Sequence, residues 1–99
     1  MAETIEELTV TYVDDDGIET TQECDKVILS KGSWTTILFR YREWDRAKQS
    51  YSADRYTIRR YQKRNGEYRQ QSKFNISSRA QAQALIDALQ TWLELPEPD

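Results

Sequence analysis

Apolar and polar residues alternate in short runs over most of the chain and take up a helical period only near its end. In TIEELTVTYV (4–13), Leu8, Val10 and Tyr12 stand against Thr9 and Thr11, and β-branched residues predict a strand. DDDG (14–17) turns the chain, and residues 18–29 predict a second strand ending in KVIL. After a turn at KGS (31–33), WTTILFRYREW (34–44) alternates most strictly. It sets Ile37, Phe39 and Tyr41 on one face and Arg40, Arg42 and Trp44 on the other. The polar stretch 45–54 predicts a loop, with Lys48 and Tyr51 placed to fold over a ligand.

Residues 56–77, YTIRRYQKRNGEYRQQSKFNIS, predict a hairpin around Asn65-Gly66. Asn-Gly ordinarily signals a two-residue turn, but that loop pairs Ile58 with Lys73 and mixes the two faces. A three-residue loop, Arg64-Asn65-Gly66 with Gly66 left-handed in a bulge, pairs Ile58 with Ser72 and Tyr56 with Phe74. Tyr56, Ile58, Tyr68, Phe74 and Ile76 then share one face. Arg59, Tyr61, Lys63, Arg69, Gln71, Lys73 and Asn75 share the other. Because a one-residue slip exposes the whole apolar set, the three-residue loop is expected.

SSRAQAQALIDALQTWLEL opens with Ser78 as N-cap and Gln81 three residues on, a capping box. Ala82, Leu85, Ile86, Leu89, Trp92 and Leu93 form one apolar stripe at helical spacing. Ala80, Ala84 and Ala88 lie away from it and suit close contact with a second helix, although alanine is also the best helix former. Pro96 and Pro98 close the chain. The expected fold is α+β: a single antiparallel sheet of four to five strands, then one C-terminal helix packed on one face. One domain, 1–99, comprises an acidic N-terminal hairpin (4–30), a basic sheet region (34–77) and the helix (78–94).

The net charge of −3 conceals a segregation. Residues 1–39 hold nine acids against two lysines, a balance of −7, and residues 40–73 hold eleven Arg or Lys against four acids, a balance of +7. Such asymmetry often marks a face for an anionic partner. Hydrophobic residues make up 37% of the chain, 40% with its three glycines, below the roughly 45–50% of average domains. That shortfall points to an open sheet face or a core completed by a partner chain.

Catalytic chemistry finds few of its usual residues. With no histidine, Ser-His and Cys-His nucleophile pairs are excluded within one chain, as are zinc sites built on histidine and cysteine. Asp14, Asp15 and Asp16 lack the alternating spacing and distal glutamate of a calcium loop and suit a solvated turn. Cys24, alone and between Glu23 and Asp25, suits an inert strand residue better than a reactive thiol. No enzyme activity, metal or cofactor is therefore expected. A lone cysteine, an opening without the regions of a secretion signal and no long apolar run lead us to expect a cytoplasmic protein.

On the sheet face away from the helix, Arg40, Arg42 and Trp44 are expected to join Arg59, Tyr61, Lys63, Arg69 and Lys73. Cations neutralise phosphates and flat rings stack on bases, so these eight residues are expected to bind single-stranded nucleic acid, DNA in preference to RNA. The alternatives are an adaptor that docks an acidic protein on the same face, or a solvated face stabilised by cation–π pairs.

In SKFNISSRAQAQALIDAL, Lys73 and Ile76 precede the helix, and FRYREW (39–44) and TIRRY (57–61) each join arginine to a following aromatic. This order of strands and helix resembles the positive cofactor four family of transcriptional coactivators and its bacterial relatives that bind single-stranded DNA. The resemblance covers residues 34–93. It departs at the last strand, where the family's glycine-lysine-glycine-isoleucine pattern loses both glycines, and at residues 1–30, an added acidic hairpin able to mask the basic face. The resemblance implies a curved antiparallel sheet before one helix and a homodimer built through helices and strand edges. It also implies sheet faces that bind single strands without sequence preference.

Overall fold

A computed structural model describes residues 2–97 of the chain; Pro98 lies outside them. The elements are a 3-10 turn (Ile5–Glu7), β1 (Tyr12–Val13), β2 (Glu19–Ser30), β3 (Trp34–Asp45), β4 (Ser50–Tyr51), β5 (Arg55–Arg64), β6 (Glu67–Ile76) and α1 (Arg79–Leu93). All six strands form one antiparallel sheet in the order β1-β2-β3-β5-β6, with β4 paired to β3. The α+β architecture of one antiparallel sheet followed by one helix is thus the fold of this chain, with one short strand more than expected.

Strand register sorts the side chains, because directly paired residues share a face. Tyr41 pairs with Arg55, Phe39 with Thr57, Ile37 with Arg59 and Thr35 with Tyr61. Of these, Thr35, Ile37, Phe39, Tyr41, Thr57 and Tyr61 are buried. Leu8 and Val10 complete this core, with Ala2, Ile5, Ile28 and Tyr68 packed around it. The core therefore lies beneath the N-terminal segment, not beneath the helix. Leu8 and Val10 alternate as a strand would, but they lie across the sheet as a strap, and only Tyr12–Val13 joins the ladder. The Lys26 ammonium donates to the carbonyls of Ile5 (3.2 Å), Glu6 (3.0 Å) and Leu8 (2.9 Å) and pins the strap to β2. At its far end the Tyr68 amide donates to the Ala2 carbonyl at 2.9 Å.

The β5–β6 hairpin corrects the expected loop. Arg64 pairs with Glu67, and Asn65 (φ 52) and Gly66 (φ 79) form a two-residue turn with both residues left-handed, the twist that hairpin strands favour. The odd residue that the face pattern demands is Gln71, a bulge in mid-strand: Tyr61 pairs with Gln70 and Arg60 with Ser72. Ile58 consequently pairs with Phe74, and Tyr56 with Ile76. Beyond the bulge, Tyr68 shares the strap face with Tyr61 and Lys63, not the face of Ile58.

Helix α1 begins where expected. Ser78 Oγ accepts from the Gln81 amide at 3.0 Å, while Gln81 Oε1 reaches back one residue further than a capping box requires, to the Ser77 amide at 2.6 Å. The helix does not pack closely on the sheet: none of its residues is buried. It lies over Leu38, Tyr56, Ile58 and Ile76 across an apolar groove of about 770 Å³. Among the described residues no helix is long and apolar enough to cross a membrane.

Candidate nucleic-acid interface

The eight expected site residues do not share a face. Since Arg40 pairs with Tyr56 and Leu38 with Ile58, Arg40, Arg42 and Trp44 point to the helix side. Arg59, Tyr61 and Lys63 point to the strap side. Arg69, before the Gln71 bulge, pairs with Gln62 on the helix side, whereas Lys73, after it, pairs with Arg59 on the strap side. Sequence alternation orders β3 and β5 correctly but fails across the Gln71 bulge of β6, and it could not align β3 with β5 across residues 46–54.

On the helix side the candidates are already engaged. Asp54 bridges two of them, with Oδ2 3.1 Å from Arg40 Nη1 and Oδ1 2.8 Å from Arg42 Nε. These bonds, that of Arg42 first, hold the Asp54 carboxyl below its ordinary value. Trp44 packs edge-on against Tyr51, ring centroids 5.0 Å apart, and its indole nitrogen is shielded without a partner. Tyr51 in turn donates its hydroxyl to the Glu19 carbonyl at 2.8 Å, so it is an anchor for its loop and not a flap over a ligand. Arg69 lies 3.5 Å from Glu67. Nearby, the Arg60 guanidinium lies 4.3 Å from the Trp34 ring centre, a cation–π pair outside the expected set.

The strap side carries the freer cations. Arg55, Arg59 and Lys63 recur at every fourth residue of β5, about 13 Å apart at strand rise, and Lys73 stands opposite Arg59. Among the described residues no carboxylate lies within 4.0 Å of any of the four. Tyr61 is only 5% exposed and belongs to the core, so it offers no ring to a base. Burial pushes its hydroxyl above the ordinary tyrosine value, against the opposing charge of Arg59. Burial raises Tyr41 likewise, with Glu43 adding to the rise and Arg55 and Arg59 opposing it. The ring on this side is Tyr68, half-buried, with Lys63 Nζ 5.4 Å from its centre. Arg55 was legible in sequence, being in phase with Arg59 and Lys63. The placement of Tyr68 was not, because it depends on the bulge.

The acidic turn has an internal role. Asp14 Oδ1 accepts from the amides of Asp16 and Ile18, each at 2.9 Å, and its other oxygen accepts from Arg46. Cys24 is half-buried at a β2 bulge between Glu23 and Asp25. No family model, curated protein or solved structure matches the chain.

Proposed function

We propose that the protein is a non-enzymatic binder of single-stranded nucleic acid, DNA in preference to RNA, and that the strand runs along the strap side of β5 and β6. One observation carries this reading. In a chain with 17 acids against 14 bases, Arg55, Arg59, Lys63 and Lys73 line one side of a hairpin without an acidic partner among the described residues. Tyr68, half-buried between Lys63 and the strand edge, presents the open part of its ring for stacking. The resemblance to the positive cofactor four family supports the same class of ligand.

Fluorescence anisotropy with labelled oligo-dT at 50 mM salt tests it. Binding is expected at micromolar strength. Replacing Lys63 and Lys73 by Gln is expected to flatten the salt dependence by about 0.7 log units per lost phosphate contact. Tyr68→Ala is expected to cost about 1–3 kcal/mol at nearly constant salt slope. Trp44→Ala is expected to leave affinity unchanged, since that ring is packed on Tyr51. Absence of binding to both oligo-dT and oligo-U overturns the proposal and leaves docking of an acidic protein as the reading of this face.

A second copy of the chain is the proposed cover for the helix side. Val27, Leu29, Phe74, Ile86, Leu89, Trp92 and Leu93 are all exposed there or on the helix, and apolar residues gathered in this way mark an interaction surface. A homodimer that buries α1 against this sheet face removes it.

A further inference from the structure

Arg59 stands in an unusual setting. Its cross-strand partner is another cation, Lys73, an arrangement that is unfavourable when nothing lies between the two. The next rung offers no relief, because the Asn75 side-chain oxygen Oδ1 already accepts from Thr57 Oγ1 at 2.7 Å. Among the described residues no carboxylate comes within 4.0 Å of either cation. Arg59 Nη1 donates to the neutral Gln70 side chain at 2.9 Å, while its Nε–H is shielded from water and has no acceptor. A guanidinium presents Nε and Nη2 as one planar fork that fits an oxyanion with two parallel bonds. Gln70 engages the other end and leaves that fork unused.

We infer that Arg59 and Lys73, with Gln70 as a positioning residue, form a discrete site for a phosphate-type oxyanion. The anion accepts from Arg59 Nη2 and the Lys73 ammonium, and from Nε once the side chains that shield it move aside. It supplies the negative charge that this rung of the sheet lacks. The site stands on its own geometry; that its occupant is the phosphodiester of a nucleic-acid strand rests on the proposed function. A lysine at position 59 keeps the charge but not the fork, which separates a built site from a diffuse positive potential.

The test follows the Arg59 Nε–H signal by nitrogen-15 NMR of the whole chain, titrated with sodium phosphate and, in parallel, with sodium chloride at equal ionic strength. A saturable shift of this signal and of the Gln70 and Lys73 backbone amides is expected with phosphate alone, weakened about tenfold in Lys73→Gln. In Arg59→Lys, which has no guanidinium Nε–H to follow, the amide shifts are expected to be lost. Circular dichroism of each variant verifies the sheet. Oligo-dT anisotropy with Arg59→Lys is the second arm. Weakened binding in both arms supports the site and its proposed occupant. Saturable phosphate binding without any oligo-dT binding keeps the site, makes its ligand a free phosphate and overturns the nucleic-acid reading. Equal shifts with chloride and phosphate, together with unchanged oligo-dT affinity in Arg59→Lys, overturn the site and leave the nucleic-acid reading standing.

Discussion

At position 66 the backbone angle φ is +79, and a Cβ placed there meets nothing within 4 Å. A substitution is therefore strained by conformation alone, with no steric clash added. Gly66→Ala is expected to lower stability by about 1 kcal/mol, the left-handed penalty for an L-residue. Urea unfolding would show it as a lower midpoint at unchanged slope. Asn-Gly was legible in sequence as a turn. Face separation also correctly demanded one unpaired residue in the hairpin, yet it could not locate that residue at Gln71, because a bulge anywhere between the turn and Ile58 restores the same parity. Tyr68 and Arg69, on the turn side of the bulge, were assigned to the wrong faces for that reason.

Helix α1 shows that an element expected correctly, on one face of the sheet, need not cover the buried core. Its period, N-cap and bounds follow from local spacing, and its apolar stripe declares a surface to be buried. The stripe does not declare which surface. Ile86 and Leu89 remain 53% and 46% exposed above the groove, so they contribute little to the monomer's core. Ile86→Lys combined with Leu89→Lys is expected to abolish the proposed dimer while changing monomer stability by less than about 1 kcal/mol, as exposed positions do. Sedimentation at tens of micromolar checks this. A wild-type chain that sediments only at its 11.7 kDa monomer mass overturns the homodimer.

Across the whole molecule, the strap of residues 2–10 performs the task expected of the helix. It covers Ile37, Phe39 and Tyr41, and Lys26 holds it by three carbonyls that otherwise lack this donor. Lys26→Met keeps the aliphatic stem and removes the ammonium. It is expected to destabilise the fold by about 1.5–3 kcal/mol, the range for hydrogen bonds to a charged group, measured by urea unfolding. Although the strap carries Glu3, Glu6 and Glu7 and belongs to an acidic segment, its first role is structural: it closes the core and ends at Tyr68, beside the cationic side of β5 and β6.

What the sequence by itself determined is whatever depends on neighbours along the chain. The alternation of β3, the Asn-Gly turn, the capped helix and the concentration of positive charge between residues 40 and 73 all belong to it. Tertiary structure alone decided how strands separated by longer connections line up. Between β3 and β5 the chain passes through residues 46–54, and a shift of one residue there exchanges every side chain between the faces. That single register places Arg40 and Arg42 with Asp54 on one side. It leaves Arg59 and Lys73, already together in the β5–β6 hairpin, on the other, without a carboxylate within 4.0 Å among the described residues. Leu8 and Val10 obey the same division. Their alternation requires burial on one side, and only the position of β2 and its Lys26 makes the segment a strap instead of a full strand.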